Sequence, residues 1–136
     1  MTWQEQDREL AAELAGQGVL DPGWRAAFEN VPRHVFVPAA YAADGTPRDP
    51  ACPAYRDESL TTQIARMPDT GMVVPTSSST RPSLMARMLG LLDVAPGDTV
   101  LEIGTGTGYN AALLAHRLGD EAVTSIDIDL SSSTPP

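Results

Sequence analysis

VLEIGTGTGYN, residues 100–110, runs an apolar segment into a carboxylate and then into three glycines at alternate positions. Behind it comes the helical pattern of residues 110–118, stopped by Gly119, and then a second apolar segment, AVTSI, ending at Asp127. Strand, glycine turn, helix, strand is one βαβ unit, for which a right-handed crossover is expected. Such a turn at the carboxyl edge of a parallel sheet is where nucleotides are held. Glycine serves it twice, by taking backbone angles that other residues avoid and by letting a ligand touch the main chain.

The loop also excludes ligands. It reads G-x-G-x-G, not the dinucleotide pattern G-x-G-x-x-G, and no Lys-Ser or Lys-Thr follows, so a phosphate-binding P-loop is ruled out. Glu102 would repel a pyrophosphate and suit a cation. Asp127 lies 21 residues beyond Gly106, where a carboxylate can accept hydrogen bonds from both hydroxyls of a ribose. A nucleoside with positive charge and no phosphate is S-adenosylmethionine. A glycine turn without any ligand is the plainer alternative.

Composition narrows the surroundings. The net charge of −9 comes without a basic cluster, so the chain lacks the footprint of nucleic-acid binding, and an anionic membrane would repel it. The N-terminus MTWQEQDREL is charged, with no signal-peptide core, and no apolar run approaches the ~18 residues of a membrane span, so a cytoplasmic protein is expected. Cys52 is the only cysteine; without a second thiol it forms no internal disulfide and no metal-ligand pattern, and no metal site is expected.

Upstream, Thr2 reads as the N-cap of a helix running to about Ala15, and Pro22 as the start of a second helix through Phe28. VPRHVFVP, residues 31–38, has a proline near each end and reads as extended; residues 42–58 read as a loop, since Pro47, Pro50 and Pro53 leave little room for a regular element. LTTQIA and GMVV read as short strands joined by a PDTG turn, TSSST as a hydroxyl-rich loop capping the next helix, and residues 82–92 as that helix. APGD, residues 95–98, is a turn. His34 reads as a packing residue and His116 as solvent-facing.

VLEIGTGTGYNAALLA followed by VTSIDID resembles motif I and its successor in class I S-adenosylmethionine-dependent methyltransferases. The order VPRHVFVP, AYRDESL, Ser/Thr loop with Pro82, apolar helix and motif I is similar to that of protein-L-isoaspartate O-methyltransferases, over roughly residues 20–129. The resemblance implies an α/β chain with a Rossmann-like fold, and carboxyl O-methylation of isoaspartyl residues in proteins or peptides. S-adenosyl-L-methionine would be held by Glu102, Gly104, Thr105, Gly106, Thr107, Gly108 and Asp127. In the family a T-I-S-x-P loop contributes a serine that helps bind the reacting groups. Anchored on Pro82, that position falls on Thr80, with Ser79 and Ser78 beside it. The inserted TTQIARMPDTGMVVP departs from the family's spacing and points to an actinobacterial-type branch acting on peptides other than damaged proteins.

Three regions are expected: a helical, substrate-side region over 1–81, an S-adenosylmethionine-binding Rossmann-like domain over 82–129, and a low-complexity tail over 130–136. The family's sheet has many more strands than the two supplied here, and two parallel strands make an inadequate sheet with exposed edges. The expectation is therefore a truncated chain, from a frameshift, an early stop or a split gene, poorly active by itself. Alternatives are a non-catalytic S-adenosylmethionine-binding or interaction fragment, to which a partner chain supplies the missing strands, or another small-molecule methyltransferase.

Overall fold

A computed structural model describes residues 1–130; apart from Leu130, the tail expected over 130–136 lies outside them. Helix α1, Trp3–Gly16, starts with a capping box: Glu5 N–H donates to Thr2 Oγ1 at 3.3 Å, and Thr2 N–H donates to Glu5 Oε2 at 2.6 Å. It buries Asp7, Leu10, Ala11 and Leu14, one helical face at the i, i+3, i+4, i+7 spacing. Helix α2, Pro22–Asn30, is capped by Asp21, whose Oδ1 accepts from Gly23 N–H at 2.7 Å, and it buries Trp24, Ala27 and Phe28.

These helices share one core with the later part of the chain. Leu10, Leu14, Trp24 and Phe28 meet Met85, Ala86 and Leu89, from the helix that follows the hydroxyl-rich run, and Tyr109, Leu113 and Leu114, from the helix that follows the glycines. Burying each large apolar side chain is worth ~1.5–3 kcal/mol. Arg117 lays its guanidinium 4.5 Å from the centre of the Trp24 ring and donates to Val94 O, closing the core on that side.

VPRHVFVP is not extended throughout. Arg33–Phe36 form a short helix, α3, with Pro32 as its N-cap residue and Val37 as its C-cap. Both prolines stand outside the turn, where neither obstructs it. The stretch 42–58 also holds more than a loop. Strand β1, Ala40–Tyr41, pairs antiparallel with β2, Pro47–Arg48, and Pro53–Tyr55 form a 3-10 turn. Pro47 lies at the sheet's edge and at the start of its strand, where its missing N–H is tolerated.

Strands β3, Leu60–Arg66, and β4, Val73–Ser79, form a hairpin around the expected PDTG turn and complete a four-stranded sheet in the order β2-β1-β3-β4. Here the expected loop is corrected. Thr76, Ser77, Ser78 and Ser79 lie inside β4, paired with β3 at Leu60↔Ser79, Thr61↔Ser78 and Gln63↔Ser77. The cross-strand ladder satisfies a backbone that the hydroxyl-rich composition would leave irregular.

Helix α4, Pro82–Leu92, has the expected bounds. Its first turn is capped from elsewhere, however: Arg81 is the N-cap residue and its side chain makes no capping bond, whereas Asp57 Oδ1 accepts from Ser83 N–H at 2.8 Å. After the turn at 95–98 come β5, Val100–Ile103, α5, Tyr109–Leu118, and β6, Val123–Ile126. β5 and β6 pair in parallel from Val100↔Val123 to Ile103↔Ile126, a βαβ unit with α5 as crossover.

Candidate functional site

The glycine loop leaves β5 at its carboxyl end. Gly104, Gly106 and Gly108 all take positive φ, at 94°, 56° and 85°, so any residue with a side chain would be strained there. A Cβ built on Gly104 or Gly106 would meet no atom within 4 Å, so open space adjoins both main-chain positions. Gly104 N–H donates to Ile126 O at 2.7 Å, continuing the strand pairing into the loop, and Gly108 N–H donates to Thr105 O at 3.0 Å. Thr107 Oγ1 accepts from Tyr109 N–H at 3.3 Å, and Thr105 Oγ1 shares a hydrogen bond with Ser125 Oγ at 2.7 Å.

Two carboxylates brace this loop from opposite sides. Glu102 accepts from Asn110 Nδ2 and from Ser125 Oγ, each at 2.6 Å, tying β5 to the first turn of α5 and to β6. Asp127 Oδ2 accepts from Gly106 N–H at 2.9 Å, and its Oδ1 accepts from Asp129 N–H at 2.9 Å. Hydrogen bonds from the Asp129 and Gly106 amides hold the Asp127 carboxyl below its ordinary range. Asp127 therefore meets Gly106, two residues that the sequence places in one site, while Glu102 is held by Asn110 and Ser125. Asn110 and Ser125 are partners the sequence did not suggest; Asn110 stands two residues after Gly108, and a polar residue at that point of a helix is the available signal.

A cavity of about 350 Å³ opens beside the loop, lined by Ile103, Gly104, Ile126, Asp127 and Ile128. An apolar floor with one carboxylate at its rim and no basic side chain suits an uncharged base and a ribose, not a phosphate. The same face of the sheet is uncovered. Alternation turns Val100 and Glu102 toward α5 and leaves Leu101 and Ile103 outward, 60% and 80% exposed, with Ile128 fully exposed.

Some distance along the chain, the end of β4 gathers around Arg33. Its side chain is fully buried and donates to the carbonyls of Ala54, Arg56, Glu58, Ser79 and Thr80 and to Ser79 Oγ. Burial lowers the Arg33 pKa, and the charge is met by carbonyl dipoles. Ser79 is buried, with its hydroxyl held by Arg33 at 3.2 Å; Thr80 is half-buried, and among the described residues its hydroxyl has no hydrogen-bond partner. In the sequence Arg33 lies within VPRHVFVP, where no role for it is evident. An arginine in an otherwise apolar segment was the signal.

A second buried polar group belongs to α1. Asp7 is fully buried and neither carboxyl oxygen finds a partner among the described residues, so desolvation raises its pKa to about 7. It lies near Tyr109 and Tyr55, and burial followed by its charge pushes both phenols up. Tyr55 hydrogen-bonds His34, which also packs against Trp3, the packing role expected of this histidine. His116 is exposed, as expected, and so is Cys52, a free thiol.

A parallel βαβ unit with a nucleoside-sized, phosphate-averse loop, set behind a helical N-terminal region, is the opening part of a Rossmann-like class I methyltransferase fold; its sheet here has two strands among the described residues. The family model for protein-L-isoaspartate(D-aspartate) O-methyltransferase matches residues 5–132, and the chain belongs to that family. It is 36% identical over 120 residues to a protein-L-isoaspartate O-methyltransferase of Methanoregula boonei, covering 88% of this chain and 46% of that protein. To protein-L-isoaspartate O-methyltransferase 2 of Syntrophobacter fumaroxidans it is 35% identical, covering 91% of this chain and 41% of the relative. A solved protein-L-isoaspartate O-methyltransferase superposes with a TM-score of 0.60 at 28% identity, over 89% of this chain and 33% of that one. The chain thus spans less than half the length of these relatives. Among the described residues, no helix is long and apolar enough to cross a membrane.

Proposed function

We propose that this chain carries the donor-binding and carboxylate-orienting parts of an S-adenosylmethionine-dependent carboxyl O-methyltransferase acting on isoaspartyl residues of proteins or peptides in the cytoplasm. The observation that carries the reading is the pairing of an open, phosphate-averse glycine loop with Asp127 at the rim of an apolar cleft. Asp127 would accept from the ribose hydroxyls, Gly104, Thr105, Gly106, Thr107 and Gly108 would let the main chain approach the donor, and Glu102 would place negative charge near its cationic part. The donor supplies an electrophilic methyl group. The acceptor carboxylate is ionised near neutral pH, so the protein needs no strong base and works by positioning. Thr80, with Ser79 as the alternative, would orient that carboxylate through a hydrogen bond worth ~1–3 kcal/mol.

The isolated chain is expected to bind donor weakly and to transfer methyl groups poorly, because one face of its parallel pair is uncovered and, among the described residues, neither outer edge is paired. That face also favours a second reading, an interaction fragment whose partner chain supplies the missing strands. Acceptance of an isoaspartyl peptide separates carboxyl methylation from methylation of some other small molecule. Titration calorimetry with S-adenosylmethionine tests the donor site. Weak binding that Asp127→Ala abolishes supports it; binding unchanged by Asp127→Ala, or heat absent at any donor concentration, contradicts it.

A further inference from the structure

Arg33 is a cation buried with no carboxylate in contact among the described residues, and its partners are distributed in a particular way. Nη1 donates to Ala54 O and Arg56 O at 3.1 and 3.3 Å, on the segment that precedes β3. Nη2 reaches Glu58 O at 3.1 Å, Ser79 Oγ at 3.2 Å, Ser79 O at 3.5 Å and Thr80 O at 3.2 Å. The peptide carbonyls on both sides of the Thr80 amide and Cα are thus anchored to one planar group. The same turn is clamped from its far side. Arg81 N–H donates to Ser59 Oγ at 3.2 Å, Arg81 Nη2 donates to Asp57 O at 3.3 Å, and Ser83 N–H donates to Asp57 Oδ1 at 2.8 Å.

This geometry sorts the hydroxyls. Ser79 is spent on the arginine and buried, whereas Thr80 is half-buried with its oxygen uncommitted among the described residues. We infer that Arg33 is a positioning residue: by fixing the carbonyls of Ser79 and Thr80 and occupying the Ser79 hydroxyl, it sets the direction in which Thr80 presents its hydroxyl to the substrate carboxylate. Lysine cannot substitute. It brings one point of charge with three donors, where the planar guanidinium reaches two separate segments at once. What Arg33 holds follows from the geometry, and what Thr80 does with its hydroxyl rests on the carboxyl-methylation reading.

The test uses the full chain with Thr80 labelled at its methyl carbon, and an isoaspartyl peptide beside its aspartyl counterpart. Arg33→Lys is expected to leave the amide spectrum of residues 100–127 unchanged, to raise the ps–ns mobility of the Thr80 methyl, and to weaken isoaspartyl-peptide binding about tenfold, the equivalent of one lost hydrogen bond. Thr80→Val is expected to weaken peptide binding equally while residues 79 and 81 keep their wild-type shifts. If Arg33→Lys does not fold, Ser79→Ala takes its place and is expected to move the Thr80 methyl less. A Thr80 methyl as rigid in the variant as in the wild type overturns the inference, as does a mobile Thr80 with undiminished peptide affinity. A wild-type chain that binds neither peptide, with Thr80 mobile in Arg33→Lys, instead overturns the carboxyl-methylation reading and supports Arg33 as the residue that holds the turn.

Discussion

The two halves of the molecule face solvent differently. Around α1 and α2, large apolar side chains such as Leu14, Trp24 and Phe28 are buried almost completely, and even a cation, Arg33, is enclosed by carbonyls; α4 buries Met85 and Leu89 against them but leaves Leu84, Met88, Leu91 and Leu92 exposed. On the β5–β6 pair, only the side against α5 is covered; Leu101, Ile103 and Ile128 stand outward. The difference falls between the two regions to which separate roles are proposed. The turn at Ser79 and Thr80, proposed to face the substrate, is held by contacts internal to this chain. The glycine loop, proposed to hold the donor, is braced by Asp127, but the sheet beneath it lacks cover.

Perturbing each half should break this contrast in a graded way. The largest effect is expected from Arg33→Met, which takes the donor from five carbonyls, two in buried and three in partly buried hydrogen bonds; a loss of roughly 3–5 kcal/mol in a urea melt would fit removal of one partner from a buried polar cluster. Leu113→Ala, in the shared core, should cost about 2–5 kcal/mol in the same measurement.

Asp7 gives a pH signature in the packed half. Its pKa is raised from 3.8 unfolded to about 7 folded, so the folded state keeps a proton that the unfolded chain releases. Stability should be greatest in acid as far as this group is concerned, fall as pH climbs from about 4 to about 7, and level off above, a change on the order of 2–4 kcal/mol. Asp7→Asn should remove that slope in denaturant melts at stepped pH and make the chain more stable than wild type at pH 8. Asp127, held below its ordinary range, has the opposite sense: its contribution is present at neutral pH and is lost as pH falls through the folded value. The smallest effect belongs to the open face. Leu101→Ala should change the stability of this chain by no more than about 0.5 kcal/mol, since an exposed side chain has little burial to lose.

The half that reads most clearly in the sequence is the uncovered one. The βαβ unit announces itself through local signals: an apolar strand, glycines that must take positive φ, and Asp127 at the next strand's end. Helix α4 is equally legible, with Pro82 at its start and an apolar face at helical spacing. The region around Arg33 and β4 is harder because its structure is made by distant contacts. Ser77–Ser79 become a strand through pairing with residues 60–63, and no local pattern carries that partner. Prolines at 32 and 38 read as extension but stand just outside a helical turn. Arg33 collects carbonyls from residues 54, 56, 58, 79 and 80, which only the fold brings together.

The most direct test of the account is labelled methyl transfer from S-adenosylmethionine to an isoaspartyl peptide and to its aspartyl counterpart. The assay is run on the chain alone and then with a polypeptide supplying the remaining strands of a relative. Transfer is expected to the isoaspartyl peptide only, at most feeble from the chain alone and strong once the open face is covered. Vigorous transfer by the isolated chain, equal transfer to both peptides, or none from an assembled complex would contradict it.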